Sequence, residues 1–211
     1  MPSTSHTAGP LMAARDRLAR LAERHLGDRG VFLAGFLKHP VMVGSVIPSS
    51  RRLIDHMLRP VDWPRCKLFV EYGPGVGTFC QPVLDRLPRD GRLIVIDTNP
   101  DFVEYLGRRF ADSRFSAVHG SAEEVEAIVA AHGHQAADYV LSGLPFSTLP
   151  DGVGPAIAAA TERVMAPGGQ FLVYQFSPKV RAFLAPHFAR IDHGFEAVNM
   201  PPAQLYWAHK S

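Results

Sequence analysis

At 211 residues and 46% hydrophobic content, the chain is long enough to bury a core without a disulfide or metal staple. Its two cysteines, Cys66 and Cys80, and ten scattered histidines lack zinc-like spacing, and no apolar run reaches the ~18–20 residues that span a bilayer, so neither a metal site nor a membrane-crossing helix is expected. The formal charge of +2 divides unevenly: residues 1–67 hold eleven Lys/Arg against five Asp/Glu, and residues 68–211 hold eleven against fifteen, which points to an anionic partner for the front.

Residues 1–9 are small and polar, and are expected to be disordered. They lack the basic and apolar regions of a secretory leader. Leu11, Ala14, Leu18, Leu21, Ala22 and His25 then recur at helical spacing on one face, with Arg17, Arg20 and Arg24 on another. A short apolar stretch follows, Val31 to Leu37, then a loop at 44–50 and a helix to Leu58 with a serine at its N-cap. From residue 68 short apolar strands alternate with helices. Strands are expected at 68–72, 92–97, 115–118, 138–142 and 170–176. Helices are expected from the glycine loop to Leu87, at 100–110, 122–131 and 153–165, with Pro167-Gly168-Gly169 as the turn into the fifth strand. This alternation predicts an α/β fold with a mostly parallel sheet covered by helices on both faces. Two extended pieces, 189–199 and 204–210, separated by Met200-Pro201-Pro202, predict an antiparallel C-terminal hairpin at the sheet edge.

The sharpest local signal is Glu71-Tyr72-Gly73-Pro74-Gly75-Val76-Gly77. Glycines at 73, 75 and 77 permit a tight turn between strand and helix and a close approach to a ligand. Backbone N–H groups in such a loop are expected to face the ligand. Asp97, twenty residues after Gly77 at the end of the next strand, is placed to bond a ribose hydroxyl pair. It also reads as a cap before Asn99-Pro100. The glycine spacing departs from the dinucleotide pattern G-x-G-x-x-G, and Glu71 would face the place of a pyrophosphate. A carboxylate there disfavours a phosphate ligand and favours a cationic one, so a sulfonium cofactor carrying an amino group is preferred over NAD.

With these residues in view, the chain resembles the class I S-adenosylmethionine-dependent methyltransferases. The resemblance covers about residues 45–210 and rests on Val70–Gly77, Asp97, Gly120-Ser121-Ala122 and Ser142-Gly143-Leu144-Pro145. It implies a Rossmann-like seven-stranded sheet and S-adenosyl-L-methionine as cofactor. It implies that Glu71, Gly73, Gly75 and Gly77 surround the methionine part, that Asp97 and the adjoining Thr98 meet the ribose, and that Ser121 and Ala122 border the adenine. Many members have aspartate where Ser121 stands, which leaves the adenine amino contact to Ser121 or Glu123. In amine-methylating relatives, including rRNA adenine dimethylases, a polar residue followed by Pro-Phe or Pro-Tyr holds the acceptor nitrogen. Ser142, Pro145 and Phe146 match that pattern, with serine where the rRNA enzymes usually carry asparagine.

Within the family the chain resembles the bacterial phospholipid N-methyltransferases, which convert phosphatidylethanolamine stepwise to phosphatidylcholine. That narrower resemblance adds the amphipathic front, Phe32–Pro40, Val46–Ser50 and Tyr174-Gln175-Phe176-Ser177-Pro178. It implies a division into membrane-facing helices at 1–44 and a methyltransferase domain at 45–211. It also implies an anionic phospholipid surface and a phosphatidylethanolamine-type substrate as partners, no nucleic acid, and a cytoplasmic enzyme held peripherally on the inner face of the membrane. Phe146 and Tyr174 are candidates to hold cationic, partly methylated intermediates against their ring faces. Alternatives are an RNA adenine N-methyltransferase, a methyltransferase for soluble amines whose front helices form a lid, and a lipid-binding module without activity.

Overall fold

The computed structural model describes residues 50–175, 178–197 and 202–211, all within the unit Ile47–Ser211. The front helices expected before residue 50, the 44–49 loop and the Met200-Pro201 turn lie outside the described residues.

In chain order the elements are α1 (Arg51–Leu58), a 3₁₀ turn (Trp63–Arg65), β1 (Leu68–Tyr72), α2 (Cys80–Leu84), β2 (Arg92–Asp97), α3 (Pro100–Arg109) and β3 (Phe115–His119). A second 3₁₀ turn (Ala122–Glu124) leads into α4 (Val125–Ala131), and β4 (Ala137–Ser142), α5 (Val153–Val164), β5 (Met165–Gln175), α6 (Val180–Leu184), β6 (Arg190–Glu196) and β7 (Ala203–His209) complete the unit. The seven strands form one sheet in the order β3-β2-β1-β4-β5-β7-β6. The first five run parallel, β7 lies antiparallel to β5, and β6 is antiparallel to β7. This is the Rossmann-like sheet that the alternating pattern predicts.

The central strands are apolar on both faces because helices cover both. Every residue of β1 is buried. Val70, Tyr72, Ile94, Val140, Phe171 and Val173 belong to a core shared with α4, α5 and α6. Phe69, Leu93, Val95, Leu141 and Leu172 alternate to the other face, where they meet α1, α2 and α3. Helix starts follow from side-chain caps: Ser50 accepts the amide of Leu53 at 3.2 Å, and Asn99 accepts that of Asp101 at 2.9 Å, just before Pro100.

Three boundaries differ from expectation, and one further helix is present. The helix after the glycine loop closes at Leu84 and not at Leu87, because the following residues fold into turns. The helix expected over 122–131 divides into a 3₁₀ turn and α4. Ser121 and Glu124 form a capping box around that turn: Ser121 accepts the amide of Glu123, and Glu124 accepts that of Ser121. Pro167-Gly168-Gly169 lies inside β5 instead of preceding it. The pairing with β4 shifts register there, and Gly168 has φ +76°, the mark of a bulge. Helix α6 has no counterpart in the sequence pattern, since five residues are too few to show a helical period.

Candidate active site

The strand order reverses at β1. Successive strands add on one side as β2 and β3, then on the other as β4 and β5. A doubly wound sheet opens a crevice at the carboxyl ends of its strands at this switch point. Three backbone bonds align the loops along that edge. Gly73 donates to the carbonyl of Ile96 at 2.9 Å, Gly120 to that of Asp97 at 3.1 Å, and Gly143 to that of Tyr72 at 3.4 Å. The glycine loop, Asp97-Thr98, Ser121-Ala122 and Ser142–Phe146 are thereby gathered on one rim from four strand ends.

Gly73, Gly75 and Gly77 all have positive φ, between +55° and +77°. A Cβ on Gly73 would lie 2.7 Å from Cδ2 of Leu144, whereas one on Gly75 would meet nothing within 4 Å. The loop therefore packs against the β4 loop at its first glycine and leaves open space at its second. Some of the loop's amides are engaged within the protein. Gly77 donates to the carbonyl of Pro74 at 2.9 Å, and the amide of Gly75 lies on the Asp97 side, where it favours the charged carboxylate. A phosphate cradle needs those donors free, so this arrangement suits a ligand other than a pyrophosphate.

Two carboxyl groups underlie the loop. Glu71 is fully enclosed, on the face of β1 that looks toward α2, and its Oε2 accepts the Cys80 thiol at 3.6 Å. Burial pushes its pKa up to about 8, opposed by the Cys80 bond and reinforced by the nearby Asp97 charge. Asp97 is raised too, again by burial, while the amides of Asn99 (2.9 Å) and Gly75 and the His119 ring act in the opposite sense. A buried acid and a half-buried one so close together favour a positively charged ligand. The open space at Gly75, the consumed amides and these two acids fit a sulfonium carrying an ammonium group and a ribose.

The remaining candidates are distributed as follows. Thr98 is exposed, and its carbonyl meets Nε2 of His119 at 3.1 Å. Ser121 is half-buried and Ala122 buried, and Ser121 Oγ lies 3.3 Å from the Glu123 carboxylate. Ser142 is fully buried, and its hydroxyl accepts the amide of Leu144 at 3.2 Å. Pro145 is half-buried. Tyr174 abuts the β4 loop so closely that a Cβ on Gly143 would fall 2.2 Å from its hydroxyl oxygen. The Phe146 and Tyr174 rings are not brought together. Phe146 belongs to the core beside α5 and α6, with Phe183 at 6.2 Å, while Tyr174 lies in the opposite core with Phe79 at 5.2 Å.

Three contributors carry no assigned role in the sequence reading, although Gln175 lies in the motif at 174–178. Cys80 bonds Glu71, Phe79 backs Tyr174, and the Gln175 amide donates to the carbonyl of Leu144, bracing the 142–146 loop. A signal existed for Cys80: three residues beyond Gly77, it falls in the first turn of a helix that packs on β1.

Residues 69–169 match the family described as methyltransferase domain. An ornithine lipid N-methyltransferase of Singulisphaera acidiphila is 33% identical over 182 residues, covering 85% of this chain and 95% of that protein. Among solved structures, the precorrin-6y C5,15-methyltransferase of Geobacter metallireducens superposes with a TM-score of 0.61 at 15% identity, over 79% of this chain and 93% of that one. The N-methyltransferase NodS of Bradyrhizobium japonicum, in complex with S-adenosyl-L-homocysteine, superposes with a TM-score of 0.59 at 16% identity, over 92% and 99%. Sheet order, rim and relatives agree, and this chain belongs to the S-adenosylmethionine-dependent methyltransferases.

Proposed function

We propose that this enzyme methylates the amino headgroup of a membrane lipid, with phosphatidylethanolamine and its methylated intermediates as acceptors on the way to phosphatidylcholine. The observation that supports a lipid amine as acceptor is the relationship to the ornithine lipid N-methyltransferase, which extends over 85% of this chain and 95% of that protein; the phosphatidylethanolamine headgroup follows from the sequence motifs alone. That relative acts on an amine-bearing lipid, so an ornithine lipid is the second acceptor to test.

When bound, S-adenosylmethionine supplies a methyl carbon already activated by positive sulfur. The chain's own residues have chiefly to bind and position. In this reading Glu71 and the loop Gly73, Gly75 and Gly77 hold the methionine end, with the Glu71 charge facing the cofactor's cations. Asp97 with Thr98 takes the ribose hydroxyls, and Ser121-Ala122 lies at the adenine. The acceptor must present a neutral nitrogen. A primary amine has an unperturbed pKa near ~10, and removal from water beside a sulfonium lowers it. Ser142 and Pro145 set the position of that amine through a loop braced by Gln175. Tyr174 is the ring and hydroxyl bordering the acceptor, and Phe146 anchors the loop from the core beneath.

The headgroup assignment is tested by an acceptor panel in vesicles, comparing kcat/KM for phosphatidylethanolamine, its monomethyl form and an ornithine lipid. Phosphatidylethanolamine and its monomethyl form are expected to lead. A clear preference for the ornithine lipid would transfer the assignment to it.

A further inference from the structure

Helix α1 lies outside the rim described above and presents an unusual surface. Arg51, Arg52 and Arg59 are all exposed on it. With His56, Phe195 and Glu196 they line a cleft of about 690 Å³ between α1 and the end of β6. The acids of the cleft are matched: Glu196 by Arg52 and His56, each at 3.4 Å, and Asp55 by Arg86 at 2.7 Å. Arg51 and Arg59 have no ion pair among the described residues. At the cleft's mouth Phe195 is 51% exposed, the one large apolar side chain so exposed among the described residues. Unpaired guanidinium groups beside an exposed aromatic ring are the chemistry of a membrane interface, where the ring enters the acyl boundary and the cations meet phosphates.

The sheet register places this cleft. Tyr72 pairs with Ser142, Ser142 with Val173, Val173 with Tyr206, and Tyr206 with His193. Phe195 lies two residues beyond His193 on β6, which runs parallel to β1. Phe195 and Glu196 therefore lie at the same carboxyl edge as the glycine loop, four strands away, while Arg59, at the far end of α1, neighbours Gln170, Asp192 and His209 toward the opposite edge. At ~4.8 Å per strand the lateral separation is roughly 19 Å. A lipid's phosphate lies only a few bonds from its amine, so this cleft is too distant to hold the anionic group of the lipid being methylated.

We propose that the catalytic unit carries its own docking surface for an anionic bilayer, along the β6 side of the sheet, in which Arg51 and Arg59 take phosphates of neighbouring lipids and Phe195 enters the leaflet. The inference rests on the reading of the enzyme as a lipid methyltransferase, and it is separate from any contact made by residues 1–49.

The test uses the full chain and its Arg51→Gln/Arg59→Gln variant, with Phe195→Ser as a second variant. Binding is measured by co-sedimentation with phosphatidylcholine vesicles, with and without phosphatidylglycerol. Cofactor affinity is measured in parallel and is expected to be unchanged, as the control for folding. With each arginine contributing on the order of 1 kcal/mol at an anionic leaflet, the double variant is expected to bind phosphatidylglycerol vesicles about tenfold or more weakly. The difference should close at high salt, and binding to neutral vesicles should change less than twofold. Phe195→Ser is expected to weaken binding to both. Unchanged binding of both variants to anionic vesicles overturns the proposal. Methyl transfer to lipid in detergent micelles separates the two readings. Equal rates for wild type and double variant there support docking, whereas an equal loss in micelles and vesicles would make the cleft part of the substrate site and overturn it. If the wild type methylates no lipid amine at all, the functional reading falls, while vesicle binding still decides the docking surface.

Discussion

Glu71 concentrates the physics of the site in one residue. Its carboxyl is buried, bonded to Cys80, and raised to about 8 from an ordinary value of 4.5. Between those values the folded chain holds a proton that the unfolded chain has released. Stability from this group is therefore present at low pH, falls as pH rises through that window, and is lost above about pH 8. Asp97, also raised, acts in the same sense. Glu71→Gln removes most of this slope: in thermal melts without cofactor, the variant should gain on the wild type as pH rises from 5 to 8.5. A gap that does not change with pH would contradict the burial argument. A cationic cofactor reverses the preference and draws the proton off. Binding near pH 7 should thus release a proton, seen as a buffer-dependent enthalpy in calorimetry, and Glu71→Gln should lose that release and bind about tenfold more weakly. Wild-type binding with no buffer dependence would place the cofactor's cations elsewhere.

At the scale of elements, the loops at the strand ends do two jobs. Ser121 caps the turn before α4 and stands at the proposed adenine border. Ser121→Ala should cost about 1 kcal/mol of stability through the lost cap, measured by denaturant unfolding without cofactor. A further loss of cofactor affinity would show that the side chain also meets the ligand, and unchanged affinity would restrict it to capping. The strands were legible because a parallel sheet buried on both faces writes itself as continuous apolar runs, as in Leu68–Tyr72 and Arg92–Asp97. The glycine loop and Asp97 were legible because their roles depend on spacing along the chain. Less was legible where through-space contacts decide. Pro167-Gly168-Gly169 reads as a turn, yet pairing with β4 carries it into β5 as a bulge. Cys80 and Gln175 take their roles from Glu71 and Leu144, partners brought near by packing. Phe146 and Tyr174 read as equivalent rings, but the sheet separates them onto opposite faces.

At the scale of the whole molecule, the charge asymmetry of the sequence is what the proposed lipid methyltransferase would use to meet a surface. Among the described residues no helix is long and apolar enough to cross a membrane. Removing residues 1–27, which carry the arginine-bearing amphipathic pattern, should reduce vesicle binding more than cofactor affinity. Equal loss of both would make that segment part of the folded catalytic unit.

The most direct test of the account is transfer of labelled methyl from S-adenosylmethionine to phosphatidylethanolamine in mixed anionic vesicles, with the products separated by chromatography. The account predicts label in mono-, di- or trimethylated lipid. Label in a soluble amine or in RNA but not in lipid, with cofactor binding intact, would contradict it.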